Sequence, residues 1–428
     1  MNIICMVSFY ILFLCSLFFY RTLKHPAVIF NILWSVLIQV SIVGYPGINP
    51  PDAQIYGIFL FGGIVLNVAA FFANYAKTNT NGELTKSNSG SNDLSQFMYE
   101  VTNKQLKILT LVQLILMAYY IVKAVGLIND LLTGFSYGDI RSYYYSEQYL
   151  SSQIEYLVLT YVFDPLLTLT QILFGVNLFT KSIKTSVSGI MLINILLRTF
   201  ISGGRMLLLE LVVIIAVCYF VIGKTKKISL KQKVGMFVLL LAATSIAVII
   251  TTERGREGTF FEKIQEMLVV NFTGSFTYLN HLMNNGKFID KSFGAASFAG
   301  IIDTIVVLFR FLGIIDLPTK QIEIGNITQS FTLIGTYSYN AMPTMYYFFM
   351  TDFGKIGNLI MPLLLGVIST KIYKKLISAP SIQSLVLYLF CILVIVESPM
   401  TWLPFKSSFM LAVFISLKLF SKKRRVVE

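Results

Sequence analysis

The chain has 428 residues, of which 55% are hydrophobic, 14% aromatic and 13% charged, with a mean hydropathy of +0.72. Soluble globular proteins carry about 25% charged residues, so this composition excludes an ordinary water-soluble fold and points to a polytopic membrane protein. The excess of 34 basic over 21 acidic residues is assigned to cytoplasmic loops, and nucleic acid is not expected as a partner.

A membrane span needs about 20 mostly apolar residues. Segments 2–20, 27–44, 54–76, 108–125, 154–178, 187–202, 206–222, 234–250, 356–372, 382–397 and 405–420 meet or approach that length, so the expected fold is all-α with about eleven transmembrane helices. The first segment lacks a basic n-region and a small-residue cleavage site, and is expected as a retained span. With the N-terminus outside, the basic groups at 21–24, 77–107, 181–184, 224–233, 371–375 and 418–425 all face the cytoplasm, as does the C-terminus.

This orientation divides the chain into an N-terminal bundle of eight spans (1–250), a large external loop (251–355) and three C-terminal spans with a basic tail (356–428). Residues 78–103 form a polar cytoplasmic linker with nothing to bury. In the external loop, Phe260, Phe261, Ile264, Met267, Leu268, Phe272, Phe276 and Leu279 recur at helical spacing, the stripe of an amphipathic helix. A second apolar stretch, 297–315, would reverse the basic clusters that follow if it crossed, and is placed as an interfacial or re-entrant helix. No internal repeat is evident.

Cys5, Cys15, Cys218 and Cys391 lie in apolar stretches and are expected as buried packing residues. The only histidines are His25 and His281, which excludes histidine-rich metal sites; no metal and no cofactor are expected. Walker A, Asp-x-Asp and Gly-x-Ser-x-Gly patterns are absent from the sequence. A transferase here would therefore act outside on an already activated, lipid-linked donor, without ATP.

Ionisable side chains within spans are costly, and Asp164, Arg198 and Glu210 are three of them. Two readings stand: a structural Arg198–Glu210 ion pair, or a group beneath an external cavity. Asp164-Pro165 marks a kink. Arg198 and Arg205 flank Ser202-Gly203-Gly204, a tight external reversal. Arg141, Arg254, Arg256 and Arg310 are also external, and guanidinium forks match phosphate oxygens on a lipid head group. Singly, each is expected as a snorkelling interfacial anchor; it is the set that points to a phosphate. Tyr337, Tyr339, Tyr346 and Tyr347, with Asn340 and Asp352, are either such anchors or stacking platforms and hydroxyl partners for sugar rings.

The sequence resembles the bacterial O-antigen and capsule repeat-unit polymerases of the Wzy type. The resemblance covers most of the chain as topology. Locally it rests on Leu197-Arg198-Thr199-Phe200-Ile201-Ser202-Gly203-Gly204-Arg205-Met206-Leu207-Leu208, the 271–280 stretch Asn-Phe-Thr-Gly-Ser-Phe-Thr-Tyr-Leu-Asn, and Asp352-Phe353-Gly354-Lys355-Ile356-Gly357 leading into a span. It implies a GT-C-like, metal-independent glycosyltransferase in the bacterial inner membrane. Such an enzyme moves a glycan from undecaprenyl pyrophosphate to the non-reducing end of another lipid-linked repeat unit, alongside a chain-length regulator protein and membrane lipid. Arg141, Arg198, Arg205, Arg254 and Arg256 would hold the pyrophosphate. His281 would serve as the base, with Asp352 and Glu253 as competitors; the alternative for His281 is a polar residue on a solvated face. The competing function is a lipid-linked oligosaccharide flippase or exporter, followed by a glycan ligase acting on another acceptor.

Overall fold

The computed structural model describes residues 2–76, 101–136, 138, 152–223, 241, 245, 259–288, 291–339 and 343–420. These residues are mostly helical, and seven helices are long and apolar enough to cross a membrane. The chain is a multi-pass membrane protein. Ten of the eleven expected spans coincide with helices; three of those, Met206–Ile222, Ile382–Glu397 and Ser407–Leu419, are shorter apolar helices. The remaining segment, 234–250, and most of the 78–103 linker lie outside the described residues.

The chain forms two compact units. One comprises Met1–Asp93, Gln265–Pro380 and Phe390–Ser407; the other comprises Leu94–Ile264, Ser381–Leu389 and Ser408–Glu428. This grouping does not follow chain order, whereas the three-part division by expected bilayer crossings does.

The first unit contains α1 (Asn2–Tyr20), α2 (Pro26–Val43) and α3 (Ala53–Tyr75), against which the later helix α13 (Gly357–Ser378) packs. Asn31 of α2 and Asn67 of α3 exchange amide hydrogen bonds of 2.8 and 2.9 Å. Reciprocal pairing satisfies both amides where lipid offers no partner. Gly366 lets α13 approach α3 so closely that a Cβ there would collide with the Leu66 carbonyl oxygen. About two turns further on, Lys374 donates to the carbonyls of Asn74 and Ala76 at 2.9 and 3.1 Å, a cation on the negative end of α3.

Trp34 organises the interior of this unit. Its ring stacks on Phe276 (5.4 Å, 7°) and meets Phe59 and Tyr346 edge-on. Its Nε1 donates to Ser398 Oγ at 3.1 Å. The expected burial of Cys5 and Cys391 holds, but Cys15 is exposed. The outer face of α1 also exposes Ile4, Ile11, Leu14 and Phe18, so that cysteine belongs to a face without protein cover.

The 260–279 periodicity is realised as α9 (Phe260–Asn284), which buries Phe272, Phe276, Leu279 and Leu282. The 297–315 stretch holds α10 (Ala299–Phe311), 13 residues, or about 20 Å at 1.5 Å per residue. That is too short for a hydrocarbon core of about 30 Å. Its Ala299, Gly300 and Asp303 are buried while Ile302, Ile305, Leu308 and Phe311 are exposed, the distribution of an interfacial helix. A short helix, α11 (Lys320–Thr328), follows, with Asp303 accepting from its Lys320 and Gln321 N–H groups at 2.9 and 2.8 Å.

Next comes a feature absent from the all-α expectation: an antiparallel pair of three-residue strands, β1 (Thr332–Ile334) and β2 (Tyr337–Tyr339). Gly335 makes the turn at φ 69°, and Thr336 N–H donates to the Gly47 carbonyl at 2.8 Å. The segment then enters α12 (Met345–Phe353), whose 345–352 side chains are all buried.

The second unit is built on α4 (Asn103–Leu132), α5 (Gln153–Val158), α6 (Asp164–Thr180), α7 (Thr185–Ser202) and α8 (Met206–Cys218). Gln113 of α4 donates to Thr170 of α6 at 2.7 Å and accepts from Asn194 of α7 at 2.9 Å, a buried polar node joining three helices. A π-turn, Leu159–Phe163, links α5 to α6. The extra residue it inserts frees a backbone position just ahead of Pro165, which has no N–H of its own. Helices α14 (Ile382–Glu397) and α15 (Ser407–Leu419) contribute residues to both units.

Candidate functional site

In the second unit, Arg198 is held on α7 by the α6 carboxylate. Its Nε and Nη2 donate to Asp164 Oδ1 at 3.1 and 2.9 Å, and Nη2 also reaches Oδ2 at 3.2 Å. Asp164 is thus a partner of Arg198. The Arg198 side chain is 9% exposed and that of Asp164 28%, so the carboxylate is the more exposed member of the pair. Four residues further, α7 ends at Ser202. Gly203 takes the left-handed conformation (φ 56°) and the Ser202 hydroxyl accepts from Gly204 N–H at 3.2 Å. Arg205 then begins α8 as its N-cap residue. A second ion pair, Lys123 Nζ–Glu155 Oε1 at 2.5 Å, joins α4 to α5, and Tyr119 Oη donates to the same oxygen.

In the first unit, His281 lies in the last turn of α9 and is partly exposed. The Tyr278 ring lies nearly parallel to it (6.4 Å, 11°) and touches Tyr339 of β2 at 5.3 Å. His281, Tyr278 and Tyr339 are therefore neighbours. Burial, and secondarily the Lys287 charge, hold the imidazole below its ordinary range, which favours the neutral, proton-accepting form. Tyr339 Oη is buried without a hydrogen-bond partner among the described residues. Tyr337 sits at the other end of its short strand, with its ring near Tyr45.

Asp352 occupies a different place. It is fully buried, and its carboxylate accepts from Ser292 Oγ (2.7 Å), Ala296 N (2.8 Å) and Ser297 N (2.7 Å). Three donors fix the loop leading into α10, so this side chain is engaged in holding backbone. Glu253, Arg141, Arg254, Arg256 and Asn340 lie outside the described residues. Arg310, on α10, donates to the Leu317 carbonyl and stands 3.8 Å from Asp316.

Sequence reasoning missed Glu397. This residue closes α14 and its side chain is 2% exposed, yet neither carboxylate oxygen has a hydrogen-bond donor among the described residues. Among the described residues it is ion-paired with Lys406, whose Nζ is 3.8 Å away and which is 40% exposed. The turn between them, Ser398 to Phe405, is tied down on several sides. Ser275 Oγ donates to the Pro399 carbonyl (2.6 Å), Met345 N to the Ser398 carbonyl (2.9 Å), and Trp402 Nε1 to the Ser297 carbonyl (2.8 Å). The hydroxyls of Ser297, Thr344 and Thr401 are buried in this region, also without partners among the described residues. As the final residue of an expected span, Glu397 was legible only as a boundary; the signal was an acid at a span end followed by Ser-Pro and, nine residues later, a lysine.

No group of histidine, cysteine, aspartate or glutamate side chains able to hold a metal occurs among the described residues. Neither a protein-family model, nor a curated protein, nor a solved structure matches this chain.

Proposed function

We propose that the protein polymerises lipid-linked oligosaccharide repeat units on the outer face of the bacterial inner membrane, as a metal-independent, GT-C-like glycosyltransferase of Wzy type. The observation that supports it best is Arg198, a guanidinium set inside a span by Asp164, one turn below the Ser202-Gly203-Gly204-Arg205 reversal. In the proposed reaction the bond between the sugar anomeric carbon and the pyrophosphate oxygen breaks, and the electron pair leaves with undecaprenyl pyrophosphate. A bond forms from that carbon to an acceptor hydroxyl oxygen of the second repeat unit, whose proton passes to a base. Negative charge grows on the leaving pyrophosphate, and fixed guanidinium donors lower the energy of that state. Arg198 and Arg205, with Arg141, Arg254 and Arg256, are assigned to it. The neutral imidazole of His281 and the Tyr337 and Tyr339 rings are assigned to the sugar side. A chain-length regulator is the expected protein partner.

Purified protein in liposomes, given an undecaprenyl-pyrophosphate-linked repeat unit, should produce a ladder of longer glycans on one lipid. Arg205→Ala and Arg254→Ala should abolish the ladder without loss of protein from the membrane. Movement of the unextended lipid across the bilayer, with no ladder from the unaltered protein, would replace this reading with that of a flippase.

A further inference from the structure

We propose that Glu397 accepts the proton of the acceptor hydroxyl, with Lys406 as the cation that keeps this carboxylate ready; the assignment rests on the polymerase reading. Three features of Glu397 oppose stability. Its charge is buried, neither oxygen receives a hydrogen bond from the described residues, and it stands at the C-terminal end of α14, where the helix dipole repels an anion. Among the described residues Lys406 compensates, and at 3.8 Å it does so as a charge rather than as a hydrogen-bond donor. Local rules broken together, in a turn otherwise fixed by hydrogen bonds from Ser275, Met345 and Trp402, mark a site kept for chemistry rather than for packing.

The contrast with Asp352 makes the assignment specific. Both carboxylates are buried in the same unit, but three donors already occupy Asp352, while among the described residues no donor takes the lone pairs of Glu397. Lys406 is 40% exposed, so the carboxylate is one flexible side chain away from the protein surface. Displacement of that ammonium by an incoming sugar hydroxyl brings the hydroxyl proton to a Glu397 oxygen. As the hydroxyl oxygen bonds to the donor sugar, the O–H bond breaks, the proton moves to Glu397, and the pyrophosphate departs with its electron pair. The proton is then lost to water past Lys406.

The liposome assay tests this with Glu397→Gln and Glu397→Ala in the full-length protein. A positioned base contributes roughly 10²–10⁴-fold to rate, so Glu397→Gln should slow chain extension by about 100-fold or more. Removing a charge from a buried position should leave its melting temperature at or above that of the unaltered protein. Glu397→Ala should regain activity in added formate, a small carboxylate that can enter the space left. Extension by Glu397→Gln at a rate within threefold of the unaltered protein, a marked drop in its melting temperature, or no response of Glu397→Ala to formate would each overturn the proposal. A ladder from the unaltered protein in the same experiment keeps the polymerase reading standing apart from that result, whereas no ladder removes the reading itself.

Discussion

Asp352 and Ser297 are 55 positions apart, yet the Ser297 N–H donates to an Asp352 carboxylate oxygen at 2.7 Å. With Ala296 N–H and Ser292 Oγ on the other oxygen, a single side chain shapes the turn into α10. Asp352→Asn replaces one acceptor oxygen with an NH₂ that faces a backbone donor. The expected loss is about 1–3 kcal/mol, read as a lower melting temperature in detergent and faster proteolysis within 292–298.

Arg198 and Asp164 should behave as a coupled pair. Truncating either partner of a well-buried ion pair costs about 3–5 kcal/mol. Because Asp164 is partly exposed, about 2 kcal/mol is the expected cost here. Asp164→Ala and Arg198→Ala should each lower the melting temperature. The double variant should lose less than the two single losses combined; additive losses would show that the forked contact contributes little.

The two histidines should titrate in separate ranges. His25 stacks on Tyr20 at 3.5 Å, and burial holds it down to about 3. His281 is lowered from 6.5 by burial first and by Lys287 second. The fold thus favours neutral His281. Its contribution to stability is present above the unfolded value of 6.5 and is lost as pH falls through the folded value. In ¹³C-histidine spectra one resonance should titrate below pH 6.5 and the other stay unchanged down to pH 5. Lys287→Ala should move the first partway back up.

Gly366 should tolerate no side chain at the α3–α13 contact. A Cβ there meets the Leu66 carbonyl and the Ala69 side chain, so the helices must separate. Gly366→Ala should cost about 1–3 kcal/mol, measured as a fall in melting temperature. Gly57→Ala on α3, where nothing lies within 4 Å of the added atom, is the control and should be neutral or stabilising.

The helical architecture was legible because apolar runs of span length and the 260–279 stripe are properties of consecutive residues. Asp164 and Arg198 were visible as costly intramembrane charges, but their pairing depends on how α6 and α7 are rotated, which spacing alone does not give. Asp352 and Glu397 show the same limit more sharply. Both are acids at the edges of apolar helices, and only the structure separates the one filled by three donors from the one left with a distant lysine. The small β-pair was invisible because three-residue strands carry no period; what holds them is Gly335 in its left-handed turn and the Gly47 carbonyl far upstream.

The non-sequential build of the first unit has a consequence for biogenesis. Leu66 and Gly366 touch across an interval that a ribosome working at 5–20 residues per second needs roughly 15–60 s to translate. Until α13 emerges, α3 has its small-residue face turned to lipid or to whatever insertion machinery holds it, and Lys374 has not yet reached the carbonyls at the end of that helix. The amino-terminal hairpins must therefore survive in the bilayer as an unfinished surface, held meanwhile by Asn31, which bonds Ser16 on α1 and exchanges amide hydrogen bonds with Asn67 on α3.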